Sequence, residues 1–180
     1  IGELLWDLLP SGPNLGGAPA NFAYHAQALG AEAGMIARVG ADSRGREAVR
    51  LIETMGLSSE GIQTDETAPT GTVTVELDGH GVPTYTIHED TAWDRIADTP
   101  GSLEAVRAAD AVCFGSLAQR SPVSRESIQR LVSAAPAKAW RVFDINLRQH
   151  FYNREIVERS LQLANVLKLN NGELPVVADM

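Results

Sequence analysis

Short apolar runs alternate with segments of helical period along this sequence, and that alternation decides the fold class. Leu4 to Leu9, Met35 to Val39, Ala111 to Phe114, Arg141 to Ile145 and Val166 to Leu169 read as strands. Pro19 to Leu29 reads as a helix, with Phe22, Ala23, Ala26 and Leu29 at i, i+1, i+4 and i+7 and Gly30 as its stop. Arg44 to Met55 is a second helix, striped by Ala48, Leu51, Ile52 and Met55 and closed by Gly56. Ser121-Pro122 opens a third, with Ser as cap and Pro at the first position, and Asn153 to Ala164 is a fourth. Parallel strands need crossover helices, so repeated β-α-β order predicts an α/β fold: a mostly parallel sheet flanked by helices on both faces.

One segment breaks the alternation. Thr72 to Leu77 alternates with period two, Asp78-Gly79-His80-Gly81 reads as a turn, and Val82 to His88 returns as a second strand. The expectation is a hairpin with one wet and one dry face, inserted off the main sheet.

Composition removes several function classes. The 180 residues suffice for one domain with a sizeable core. The formal charge is −8 and no basic stripe is present, so nucleic acid is not an expected partner. No apolar run reaches the roughly 18 residues of a membrane span. The start, Ile1-Gly2-Glu3-Leu4-Leu5-Trp6-Asp7, lacks a basic n-region and begins inside a strand, which predicts a trimmed front rather than a secretory signal. The single cysteine, Cys113, lies in an apolar run and fits a buried thiol in a reducing cytoplasm. The four histidines, 25, 80, 88 and 150, show no metal-ligand spacing. Ser116 has no His or Asp arrangement that would make it a nucleophile.

In α/β sheets, ligands bind beyond the carboxyl ends of strands. Those ends are polar here. The first strand carries Asp7 and leads into "LGGAPANFA", residues 15 to 23. Later strands lead into "GSLAQR" at 115, "DINLR" at 144 and "NNGE" at 170. Glycines allow backbone to approach a ligand without a Cβ in the way, Pro19 suits a first helical turn, and Asn21 lies near the positive end of the helix dipole. That arrangement suits a small polyhydroxyl or anionic ligand. A tight turn before a helix, with Asn21 in solvent, reads the same residues equally well. Gln119, with Arg120 beside it, is a further candidate for ligand contact. Trp93 and Asp94 after the hairpin suit either the ligand or packing, and Asp42 reads as a turn or cap residue.

Taken in order, "GGAPANFAYHAQALG", "ARVGADSRG", "VFDINLR" and "KLNNGEL" resemble the ribokinase-like (PfkB-type) carbohydrate kinases. "GELLWDLLP", "TGTVTVELDGHGVPTYTI" and "VCFGSLAQR" are similar to the fructokinase branch, and the resemblance covers essentially the whole chain. It implies a ribokinase-like fold with a small β lid near 10–18 and 68–92. It also implies phosphoryl transfer from ATP to a sugar hydroxyl, most simply of fructose, with Mg2+, a small sugar as partner, and room for a homodimer through the lid. Carried over by position, Asp7, Gly17 and Asn21 would bind sugar. Arg148 is similar to an arginine near the substrate in fructokinases and ketodeoxygluconate kinases. Asn170 and Glu173 match an N-x-x-E motif that organises phosphate and magnesium, and Lys168 would lie near the transferred phosphate.

One family motif does not occur. The resemblance calls for a Gly-Ala-Gly-Asp turn whose Asp is the general base on the sugar hydroxyl, and no such turn is present. The expectation is that this Asp, with the C-terminal ATP-binding part, lies beyond Met180, and that residues 1–180 alone do not turn over. The alternatives are a 2-keto-3-deoxygluconate kinase, in which Arg148 would pair with a sugar-acid carboxylate, and a non-catalytic sugar-binding fragment. A dinucleotide-binding oxidoreductase would need a G-x-G-x-x-G after the first strand, and none is there.

Overall fold

The computed structural model describes residues 1–77 and 83–180; the expected turn at 78–81 lies outside the described residues. Two compact units emerge, Glu3–Arg95 and Ile96–Met180, the latter with Ile1–Gly2.

The first unit opens with β1 (Leu5–Leu9) and β2 (Gly12–Gly16), an antiparallel pair turning at Pro10-Ser11. Local pattern reads β2 as loop, because Gly12, Pro13, Asn14 and Gly16 carry little strand propensity, whereas the family resemblance sets part of a small β lid near 10–18. Helix α1 (Ala18–Ala28) follows with Pro19 in its first turn. Its buried residues are Pro19, Ala20 and Ala23, whereas Phe22 and Leu29 stand exposed. The expected apolar face is thus rotated: small alanines let the helix sit close to the core and turn the larger side chains outward. Next come β3 (Ala37–Gly40), α2 (Ser43–Thr54) and β4 (Ile62–Asp65), with β4 parallel to β3. Leu4, Trp6, Met35, Ala37, Val39, Ala48, Ile52 and Leu57 form one buried cluster with Ala20 and Ala23. Each large member stabilises the unit by about 2 kcal/mol through burial.

The hairpin is present as β5 (Gly71–Leu77) and β6 (Pro83–Ile87), and Val73 and Val75 on β5 alternate with the half-buried Thr72 and Thr74 as expected. Its place differs from the expectation. β5 pairs with β1 in parallel, Leu5 beside Gly71 and Asp7 beside Val73, giving one sheet ordered β2-β1-β5-β6. The reason sits at the start of β5. A Cβ on Gly71 would overlap the indole nitrogen of the buried Trp93, so the missing side chain lets the hairpin begin against Trp93 and beside Leu5.

The second unit follows the sequence reading more closely. It runs α3 (Pro100–Ala108), β7 (Ala111–Gly115), α4 (Pro122–Ala134), β8 (Trp140–Asp144), α5 (Arg154–Leu163), β9 (Val166–Lys168) and α6 (Glu173–Ala178). Strands β7, β8 and β9 lie in that order, all parallel. Phe114 and Phe143 are register partners, both buried, with stacked rings 5.2 Å apart. Ile128, Leu131 and Val132 of α4 and Ile156 and Val157 of α5 complete the core. Ser121 occupies the N-cap position of α4 without a side-chain cap bond, whereas Asn153 Oδ1 accepts from Ile156 N–H at 2.9 Å and caps α5. Cys113 is buried, as expected.

Candidate functional site

In the first unit the candidate handles lie where β1 and β2 run into α1. Asp7 is the mid-strand residue of β1, partnered by Asn14 across the ladder. Its carboxylate occupies the space a Cβ on Gly16 would need. Gly16 is therefore glycine for the sake of Asp7. Gly17 adopts φ 117°, and a Cβ there would collide with the main-chain oxygen of Glu3. Both glycines answer to the protein's own atoms, which differs from the sequence reading of backbone cleared for a ligand. Glu3, buried beneath this turn, accepts from Ala18 N–H at 3.3 Å, placing a carboxylate at the positive end of α1. The sequence reading passes over Glu3, because a charged residue beside the chain start looks solvated. Asn21 stands one turn into α1, its N–H donating to Gly17 O at 3.0 Å. Its exposed side chain makes no hydrogen bond among the described residues.

In the second unit the loops after β8 and β9 are tied together by one carboxylate. Glu173 is 6 % exposed. Its Oε1 accepts from Leu147 N–H at 3.0 Å and its Oε2 from Asn170 N–H at 2.8 Å. Asn170 reciprocates: its Oδ1 accepts from Gly172 N–H at 2.8 Å and Glu173 N–H at 3.0 Å. The N-x-x-E spacing thus folds as a reciprocal pair, each side chain accepting from the other residue's backbone N–H, and the glutamate also reaches the neighbouring loop. In that loop Asn146 and Gln149 hold φ 39° and 47°, left-handed values that bracket Arg148. Arg148 is exposed, and its Nη1 donates to Leu147 O at 3.3 Å. Lys168 Nζ pairs with both oxygens of Asp144, at 2.9 and 3.1 Å, across the ends of β8 and β9.

Gln119 is a correction. It is fully buried; its Nε2 donates to Gly115 O and Ser160 Oγ, each at 2.9 Å, and its Oε1 accepts from Gln129 Nε2 at 3.1 Å. An amide spent inside the core does not meet a ligand. Arg120 beside it lies over the Phe151 ring, 4.7 Å from the centroid. Trp93 and Asp94 are also buried, the latter accepting from Thr91 N–H at 3.0 Å, so packing is their role here. Ser116 Oγ donates to Ile145 O at 2.6 Å, and Arg154 pairs with Glu158 on the exposed face of α5.

The fit to magnesium can be judged from these donors. Among the described residues no group of three or more His, Cys, Asp or Glu side chains could hold a metal ion. Each oxygen of Glu173 accepts one backbone amide and keeps a second lone pair, so the carboxylate fits a magnesium ion held directly or through water. Mg2+ commonly keeps several waters and leans on substrate phosphates, so few protein ligands suffice. No helix among the described residues is long and apolar enough to cross a membrane.

A second buried carboxylate in the first unit is structural. Asp65 Oδ1 accepts from Ala68 N–H at 2.8 Å and from Thr67 N–H and Oγ1 at 2.9 Å each, while Arg38 Nε lies 3.0 Å from Oδ2. Burial pushes its pKa up, but these hydrogen bonds and Arg38 outweigh it and hold the carboxyl at about 2.

Known proteins resemble this chain in sequence and fold. A family model described as pfkB family carbohydrate kinase matches residues 13–179. The chain is 31 % identical to a fructokinase of Escherichia coli over 189 residues, covering 99 % of this chain and 61 % of that protein. Among solved structures, an uncharacterized sugar kinase, PH1459 of Pyrococcus horikoshii, in complex with ATP, aligns with TM-score 0.87 and 28 % identity over 99 % of this chain and 64 % of that one. The apo fructokinase of Vibrio cholerae aligns with TM-score 0.85 and 26 % identity, over 98 % and 64 %. The chain thus spans about 61 % of the length of curated relatives it matches. The ribokinase-like α/β fold expected from the sequence is the fold these sugar kinases share.

Proposed function

The chain belongs to the pfkB family of carbohydrate kinases, and from that premise we propose that it serves ATP-dependent phosphorylation of a sugar hydroxyl, with fructose as the acceptor. The E. coli fructokinase supports the sugar, and the ATP complex of the P. horikoshii sugar kinase supports the nucleotide. In this reading Asp7 accepts hydrogen bonds from sugar hydroxyls, Asn21 both donates and accepts, and Gly17 sets the turn that brings α1 to them. Arg148 lies near the substrate. Lys168 and Asn170 serve the phosphate end, and Glu173 holds their loops and reaches Mg2+ through water. Magnesium supplies charge neutralisation of the ATP phosphates. The segments near 10–18 and 68–92 act as a lid and offer a homodimer contact, and the protein works in the cytoplasm.

Phosphoryl transfer asks a protein chiefly to align reactants and neutralise charge, and a covering lid excludes the water that would otherwise accept the phosphoryl group. The general base on the sugar hydroxyl belongs, in this reading, to the Gly-Ala-Gly-Asp turn that residues 1–180 do not contain. The observation that carries the proposal is the β1 carboxylate seated in the gap left by Gly16, directly before the turn into α1.

The test is ADP release with fructose by the longest polypeptide the reading frame encodes. Asp7→Asn is expected to lower kcat/KM by about a hundredfold or more, as loss of a positioning contact does. Wild-type kinetics from Asp7→Asn would remove Asp7 from the site. Fructose binding by calorimetry without ADP release from any form would favour a non-catalytic sugar-binding module. One observation favours a second acceptor, 2-keto-3-deoxygluconate: among the described residues the Arg148 guanidinium donates one hydrogen bond, to Leu147 O, which leaves its fork for a carboxylate. Activity loss confined to sugar acids in Arg148→Ala would select that reading.

A further inference from the structure

Asp42 does more than cap a helix. Its Oδ1 accepts from Gly45 N–H at 2.8 Å, the N-cap bond of α2, and from Thr70 Oγ1 at 2.7 Å. Its Oδ2 accepts from Thr70 N–H at 2.8 Å. Thr70 Oγ1 in turn accepts from Gly40 N–H at 3.0 Å. Thr70 is 3 % exposed. The flanking glycines follow from the same closeness. A Cβ on Gly40 would stand 2.6 Å from Thr70 N and 2.8 Å from Asp42 Oδ2, and one on Gly45 would strike Gly40 O. The G-x-D-x-x-G spacing at 40–45 is therefore the imprint of one threonine brought against the end of β3 and the start of α2. Burial pushes the Asp42 carboxyl up, but the Thr70 and Gly45 amides and the Thr70 hydroxyl outweigh it and hold it below the ordinary range.

Thr70 is the residue before β5. The next one, Gly71, pairs with Leu5, and two residues on Val73 pairs with Asp7. Parallel register has no tight turn to set it, so it depends on where the incoming strand is anchored. We propose that Asp42 is a positioning residue for the sugar site: by holding Thr70 through two hydrogen bonds, to its N–H and its hydroxyl, it fixes where β5 starts beside β1, and with it the sheet in which Asp7 sits. The register itself is a feature of this unit alone; its consequence for sugar rests on the kinase reading above.

Four variants, Thr70→Ser among them, separate this role from plain stability. Asp42→Asn keeps an acceptor for Gly45, since Asn caps as well as Asp, but turns an amide NH2 toward Thr70 N–H. Thr70→Val keeps the shape and removes the hydroxyl. Ile52→Val, in the buried cluster of the same unit, is a control for stability loss without the clasp. Amide exchange at Gly71 to Val73 is read without sugar, and the fructose KM with it. Loss of a charge-assisted hydrogen bond predicts exchange about tenfold faster in Asp42→Asn and Thr70→Val. The fructose KM should rise several-fold with a smaller change in kcat, and Thr70→Ser should restore both. Ile52→Val should lower Tm and move neither. Exchange at Gly71 to Val73 unchanged in both clasp variants would overturn the proposal, as would a KM shift that Ile52→Val reproduces at equal Tm. Faster exchange in a protein whose wild type neither binds nor phosphorylates any sugar would uphold the register and end the kinase reading instead.

Discussion

Gly17 and Gly30 both hold positive φ, 117° and 95°, yet they answer to different constraints. A Cβ on Gly17 meets the Glu3 carbonyl, whereas one on Gly30 meets nothing within 4 Å. Gly30→Ala should therefore cost about 1 kcal/mol, the conformational part alone, and Gly17→Ala about 3 kcal/mol or more because strain and overlap add. Urea unfolding midpoints check both. Glu173 makes a parallel case among charged residues. Replacing it by Ala strands the Leu147 and Asn170 amides, an expected loss of about 2–3 kcal/mol, measurable in the same experiment. If Glu173 instead bound Mg2+ directly, Glu173→Gln would raise the Mg2+ requirement before it touched stability. Asp65 sets the acid limit. Its folded pKa of about 2 lies below its ordinary 3.8. It contributes full stability above pH 3.8, and that contribution shrinks as pH falls and is gone below about 2. Asp42 is displaced in the same direction and adds to the trend. Acid titration of Tm should steepen in this window, and Asp65→Ala should flatten it.

At the scale of elements, what the sequence revealed depended on whether a rule of local pattern was in force. The helices at 18–28, 43–54, 122–134 and 154–163 and the strands β3, β7, β8 and β9 lie within a few residues of their expected spans, because period and stop signals are local. β2 and β4 were hidden from local pattern, and only the resemblance marked a β segment near 10–18. The first is built from Gly, Pro and Asn, and the second, Ile-Gln-Thr-Asp, is too short and polar to show alternation. The hairpin's strands were legible but their partner was not, since pairing with β1 depends on Trp93 and the gap at Gly71, residues far apart in the chain. Gly71→Ala tests that dependence: it should destabilise the first unit by about 2 kcal/mol or more through overpacking, seen as a lower unfolding midpoint. The N-x-x-E motif was legible by resemblance, but its physical form, a reciprocal side-chain-to-backbone pair that clamps two loops, became visible only in the hydrogen bonds.

For the molecule as a whole, the reading as a sugar kinase rests on family membership and on handles that each unit presents separately. Asp7 and Asn21 belong to the first unit; Arg148, Lys168, Asn170 and Glu173 belong to the second. Of these, resemblance named all, while chemistry alone pointed to a polar ligand near Asn21 and no further. Gln119 failed because position at a strand end says nothing of which way a side chain turns. The most direct measurement is fructose-dependent ADP release, in the presence of ATP and Mg2+, by the longest polypeptide of the reading frame, compared with its Asp7→Asn form. The account predicts turnover that the substitution lowers by about a hundredfold. Equal turnover by the two forms, or ADP release that no sugar stimulates, would contradict it.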